Sequence, residues 1–197
     1  KEKLQDAADK AIQKKVEEVT CDLRTYIFVD VSGSMEAGIA TAKEFLGSMV
    51  QAFPLDRVHV VTFNSIGKVV TIPHRSTAGV ENAFKGIKAD GGTSHESAIR
   101  AARVLLPKAE EDVLFIFVGD EGQPTSFQDE VQASGLRPTA FGLIKIPSFD
   151  SRYTCVMDTA FKLNVPCFLI TKETFADPYA LPRILPALIA STPVAKP

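Results

Sequence analysis

Tryptophan is absent from this 197-residue chain, and cysteine, histidine and methionine number three each. The cysteines, Cys21, Cys155 and Cys167, leave one over in any paired scheme, so a disulfide framework does not hold the fold. None stands in a Cys-x-x-Cys pair, and the scarce histidines give little material for a sulfur- or imidazole-rich metal centre. Such cysteine usage fits free thiols in a reducing compartment and predicts a cytoplasmic protein, with a Cys155–Cys167 bridge as the open alternative. No apolar run approaches the length of a membrane-spanning helix, and the first residues are charged rather than signal-like. Charge is balanced as well: 22 basic against 24 acidic residues give a net charge of -2, which offers no bulk attraction to nucleic acid or anionic membrane. Two enzyme signatures are missing. The nucleophile elbow Gly-x-Ser-x-Gly is replaced by Asp30-Val31-Ser32-Gly33-Ser34 with no histidine in triad order, and no phosphate-cradling GxxxxGK[ST] loop occurs. The chain is expected not to be an enzyme.

What is present reads as one compact α/β unit. With 45% hydrophobic and 23% charged residues, the chain has material for a real core. Residues 1–21 read as an amino-terminal helix or linker, 22–192 as the folded domain and 193–197 as a tail. Strands are expected at Thr25–Asp30, Arg57–Phe63, Lys68–Ile72, Val113–Val118, Thr139–Ile144 and Cys167–Ile170, from their β-branched and aromatic runs. Helical spacing marks 2–19, 36–53, 77–88 (with Thr77 as its cap), 94–106, 126–134, 153–163 and 177–190. The short turn Asn64-Ser65-Ile66-Gly67 makes the second and third strands an antiparallel hairpin. The remaining alternation of strand and helix predicts a Rossmann-like, doubly wound, mostly parallel six-stranded sheet with one antiparallel edge strand and helices on both faces.

The most informative residues stand where the first strand leaves that sheet. Asp30, Ser32 and Ser34 offer oxygen at alternating positions on a tight turn, which suits a small hard cation. A carboxylate at the rim of an apolar core also needs a compensating partner. Thr93 follows Gly91-Gly92 before a helix, and Asp120 ends the run from Val113. With strand order 3-2-1-4-5-6, Asp30 and Asp120 fall on neighbouring strands at the switch point, where such sheets bind ligands. Serines before a helix also serve as caps, and Gly91-Gly92 is also an ordinary turn. Neither reading explains the two aspartates converging with Thr93.

This set, Asp-x-Ser-x-Ser with a distant Gly-Gly-Thr and a distant strand-terminal Asp, resembles the von Willebrand factor A (VWA) domains over roughly residues 22–192. The resemblance implies a metal-ion-dependent adhesion site (MIDAS) with Asp30, Ser32, Ser34, Thr93 and Asp120 as its metal residues. It implies Mg²⁺ as cofactor, with Mn²⁺ or Ca²⁺ as alternatives, and a protein partner that offers Glu or Asp to the ion. The family follows its last aspartate with glycine, whereas this chain has Asp120-Glu121-Gly122. Glu121 and His95, placed near the rim, are therefore candidates for partner contact, with solvated surface residues as the plainer reading. The helix leading into Leu23-Arg24-Thr25 and the Asp120-Glu121 pair also resemble the VWA domain of the Ro autoantigen family. That resemblance gives a second expectation, an RNA-associated scaffold in which RNA is held only indirectly by this chain. A purely structural VWA domain without metal is the third.

Overall fold

The computed structural model describes residues 23–107, 111–148 and 152–171, together with Lys14, Glu18 and Thr174. The helices expected over 2–19 and 177–190, and Cys21, lie outside the described residues.

Strands β1 (Leu23–Asp30), β2 (Val58–Phe63), β3 (Gly67–Val70), β4 (Asp112–Gly119), β5 (Ala140–Lys145) and β6 (Cys167–Leu169) form one sheet in the order β3-β2-β1-β4-β5-β6. All neighbours run parallel except β3, which returns antiparallel to β2 at one edge. The fold class and strand order are those the sequence predicts. Helices α1 (Ile39–Ala52), α2 (Thr77–Ala83), α3 (His95–Ala102), α4 (Gln128–Ser134) and α5 (Cys155–Lys162) connect the strands. Several are shorter than their apolar spacing suggests. The first of them begins only after a separate 3-10 turn, Gly33–Met35. The cap of α2 is Ser76, whose hydroxyl accepts from Gly79 N at 3.1 Å, and not Thr77.

Side-chain alternation divides the core by chemistry. One face of the sheet is aliphatic: Ile27, Val29, Leu114, Ile116 and Val118 pack against Leu46, Met49 and Val50 of α1. The opposite face is aromatic, with Tyr26, Phe28, Phe115, Phe117 and Phe141 beneath Ala98, Val131 and Val156 of the three later helices. Small residues on those helices let them approach the rings, and Phe28 stacks on Phe117 at 4.8 Å between centroids. Among the described residues Cys155 and Cys167 are both free thiols, so the Cys155–Cys167 bridge is not formed. No helix of the described residues is long and apolar enough to cross a membrane.

At the amino ends of the strands, Arg24 grips Glu111 through two parallel bonds of 2.9 and 2.7 Å, and Arg57 joins at 3.1 Å. The Glu111 side chain is only 6% exposed, so its charge depends on these guanidinium groups. Glu111→Gln is expected to destabilise the fold by about 2–4 kcal/mol by leaving Arg24 without its counter-charge. Urea unfolding measures this, and a loss under about 0.5 kcal/mol would show the pair to be an ordinary surface bridge.

Candidate metal centre

The carboxyl ends of β1 and β4 carry the two aspartates, both fully buried. Gly119 makes this packing feasible, because a Cβ there would lie 2.6 Å from Asp30 Cβ. Asp30 Oδ1 accepts from Ser32 N at 2.7 Å, while Asp30 Oδ2 is buried with no hydrogen-bond partner. Burial pushes the Asp30 carboxyl up to about 7; its bonds with Ser32 oppose the shift and the neighbouring Asp120 adds to it. Ser32 and Ser34 hold their hydroxyl oxygens 3.2 Å apart. Ser32 precedes the Gly33–Met35 turn, yet its side chain makes no capping bond, so its oxygen stays available to the site.

The loop that carries Thr93 is tied to its neighbours on two sides. Gly33 N donates to Gly91 O at 3.0 Å and Asp90 N to Val31 O at 2.9 Å, which ties this loop to the Asp30–Ser34 turn. The β2–β3 turn holds it from the other side: Gly92 N donates to Ser65 Oγ at 3.2 Å, and Ser94 N to Asn64 O at 3.0 Å. Thr93, half-buried, stands between those two anchored residues. Asp120 is held at both oxygens, Oδ1 by Gly122 N at 3.1 Å and Oδ2 by the Ser148 hydroxyl at 2.6 Å.

The donors are thus carboxylate and hydroxyl oxygens around one unsatisfied buried oxygen. That chemistry fits a hard divalent cation, which would compensate two adjacent carboxylates that the fold otherwise has to desolvate. Among the described residues no group of three His, Cys, Asp or Glu side chains gathers as a metal site. Any ion here would therefore rest on hydroxyls in addition to the aspartates.

Two residues do not stand where the sequence reading puts them. Glu121 is buried and turned inward by a left-handed backbone, φ 59°. Its Oε1 accepts from Val156 N at 3.0 Å at the start of α5, and its Oε2 lies 3.2 Å from Lys145 Nζ. Burial raises its pKa, against the lowering by Val156 and Lys145. His95 is likewise inside the core, 2% exposed, and stacked on Phe127 at 5.0 Å between centroids. Gln123 Oε1 accepts from His95 N at 2.8 Å and lies 3.1 Å from its Nδ1, while Gln123 Nε2 donates to Glu96 at 2.8 Å. Neither side chain is presented to a partner; both brace the loops that carry the site. The sequence reading gives Ser148 and Gln123 no part in the site, and takes Asn64 and Ser65 only as residues of the hairpin turn. Only their position just beyond strand ends, in Ser148 and Asn64, could have marked them.

Half of the chain, residues 25–123, matches the family model described as von Willebrand factor type A domain. The chain belongs to this family, whose members generally serve as interaction modules rather than as enzymes. Its fold is similar to that of the conserved hypothetical protein BatB from Bacteroides thetaiotaomicron, at 15% identity over 86% of this chain and 100% of that one, TM-score 0.60. It is also similar to the SpRpn10 VWA domain, at 14% identity over 87% and 95% of the two chains, TM-score 0.51. A third is proximal thread matrix protein 1 of the mussel byssus with a zinc-occupied MIDAS motif, at 19% identity over 87% and 46%, TM-score 0.51. No curated protein matches the chain. The residues that suggested the Ro branch have structural roles in this fold, Arg24 with Glu111 and Glu121 with α5.

His95 gives the site's support a pH signature. Burial lowers its pKa from 6.5 to about 4, so the unfolded chain binds a proton that the folded one excludes. Its contribution is intact above 6.5 and lost as the pH falls from 6.5 towards 4, on the order of 3 kcal/mol across that window. His95→Phe is expected to flatten this part of the profile. Melting curves of the two proteins running parallel from pH 7 to pH 4 would contradict it.

Proposed function

We propose that this chain is a divalent-cation-dependent protein-binding domain that docks an acidic residue of a partner on a metal ion held by Asp30, Ser32, Ser34, Thr93 and Asp120. The carrying observation is Asp30 Oδ2, buried and unpartnered beside a second aspartate and a pair of serine hydroxyls. A fold retains such an oxygen at a cost in stability, and a cation is the partner that relieves it.

In this reading the neutral hydroxyls of Ser32, Ser34 and Thr93 are the direct ligands. Asp30 and Asp120 lie alongside, supplying charge and orienting ligands and water. Mg²⁺ prefers an octahedron of oxygens and keeps several waters. One of those positions faces outward, and a Glu or Asp carboxylate from a partner replaces its water. The ion then supplies most of the attraction, so binding is lost with the metal. Mn²⁺ substitutes through the same preference for oxygen, and Ca²⁺ accepts the same donors at longer distance. The free thiols Cys155 and Cys167 accord with the cytoplasmic setting we propose for the chain.

Titration calorimetry with Mg²⁺ and Mn²⁺, paired with melting in Mg²⁺ and in EDTA, tests the reading. The parent is expected to bind and to melt higher in Mg²⁺. Asp30→Asn keeps the oxygen that accepts from Ser32 N and removes the like-charge contact with Asp120. It is expected to melt at or above the parent in EDTA and to gain nothing from Mg²⁺. Equal, negligible binding by parent and variant would sink the proposal and leave a purely structural domain.

Thr93 provides the stricter test, because its place near the ion depends on the fold rather than on the turn at Asp30. Thr93→Val keeps the shape and removes the oxygen. We expect roughly a 10-fold or larger loss of Mg²⁺ affinity, with EDTA melting changed by no more than a lost hydrogen bond of about 0.5–1.5 kcal/mol. Parent-like Mg²⁺ affinity in Thr93→Val would remove Thr93 from the site.

A further inference from the structure

The two aspartates of the site are held differently. Asp30 keeps one oxygen open, its Oδ2, while Oδ1 accepts from Ser32 N at 2.7 Å. Asp120 has neither oxygen open: Gly122 N donates to Oδ1 at 3.1 Å and Ser148 Oγ to Oδ2 at 2.6 Å. A 2.6 Å separation is that of a charge-assisted O–H···O⁻ bond, stronger than a neutral one.

The segment that carries Ser148 is fastened to the end of β4 at further points. Ile146 N donates to Gly119 O at 2.8 Å. Lys145 Nζ lies 3.2 Å from Glu121 Oε2 and also donates to Tyr153 O at 3.2 Å. Val156 N, beyond the connection, donates to Glu121 Oε1 at 3.0 Å. Residues 119 and 120 are thus bonded to the β5–α5 connection, and Glu121 to the elements on either side of it. From that connection the Ser148 hydroxyl reaches Asp120.

We propose that Ser148 is a positioning residue of the cation site: its hydroxyl fixes the Asp120 carboxylate, so that Asp30 Oδ2 is the carboxylate oxygen left to face the ion. The assignment rests on the cation-binding reading above. Without the Ser148 hydroxyl, Asp120 keeps the Gly122 bond at Oδ1 but loses the one that fixes Oδ2, and the carboxylate is less firmly oriented at the site. Mg²⁺ is the ion most sensitive to this, because it demands near-ideal octahedral geometry. Groups that orient metal-site residues in this way are worth 10- to 100-fold in affinity.

The test is Mg²⁺ and Mn²⁺ titration calorimetry on the full chain, comparing the parent with Ser148→Ala and Ser148→Thr, with melting in EDTA as the measure of folding. Ser148→Ala is expected to bind Mg²⁺ roughly 10-fold or more weakly, and Ser148→Thr, which retains the hydroxyl, to recover most of that loss. The loss is expected to be smaller for Mn²⁺, whose geometry is less exacting; a merely structural role would weaken both ions alike. If Ser148→Ala fails to fold, the isosteric pair Ser148→Thr and Ser148→Val makes the same comparison. A parent that binds while Ser148→Ala binds equally well overturns the positioning role alone. So does a Ser148→Thr variant that melts like the parent but binds as weakly as Ser148→Ala. A parent that binds neither ion overturns the cation-binding reading and this role with it.

Discussion

Two carboxylates buried side by side at the carboxyl ends of adjacent parallel strands are the constraint around which this end of the molecule is built. Each loses hydration on folding, each repels the other, and one oxygen of Asp30 gains no partner in return. The surrounding loops are arranged to make that tolerable. Backbone N–H groups of Ser32 and Gly122 and the hydroxyl of Ser148 take up three of the four carboxylate oxygens. Gly119 contributes the missing Cβ that lets Asp30 pack at all. An arrangement with one oxygen open is incomplete by itself, and this incompleteness connects the fold to binding.

The two poles of the sheet handle charge in opposite ways. At the amino ends, Arg24 and Arg57 converge on Glu111, so the charges there are matched within the chain. At the carboxyl ends, the acidic pair forms no ion pair with a basic side chain among the described residues. Lys145, the nearby ammonium group, is engaged with Glu121 and the Tyr153 carbonyl. Glu121 takes up that lysine, and its carboxylate also meets the first turn of α5, where a negative charge is favoured by the exposed N–H groups. The left-handed backbone at Glu121 is what turns the side chain inward.

Support for the Thr93 loop comes from the aromatic face of the core. His95 lies between Phe63, Phe117 and Phe127, and its backbone N–H is taken by Gln123, only three residues past Asp120. Gln123 in turn reaches Glu96, which also accepts from Ser94. The loop bearing Thr93 and the loop bearing Asp120 are therefore joined behind the site as well as across it. A neutral imidazole suits this position, since it can donate to Gln123 while its ring packs in an apolar box.

Much of this was legible in the chain because it depends on local pattern. Alternation of strand and helix, with a single short hairpin turn, dictates strand order once crossovers are right-handed, and that order alone puts Asp30 beside Asp120. Alternating oxygen donors at Asp30, Ser32 and Ser34 need only the turn itself. What the sequence could not determine was which polar side chains turn inward. Glu121 and His95 look like rim residues because Glu and His are most often solvated, and their burial rests on partners 35 and 28 residues away. Ser148 is an unremarked serine until β5 lies beside β4 and carries it to Asp120 across 28 residues. The difference between the aspartates, one open and one held, is likewise a product of packing. Burial and hydrogen-bond geometry are properties of several segments meeting at once, so only the tertiary structure decided them.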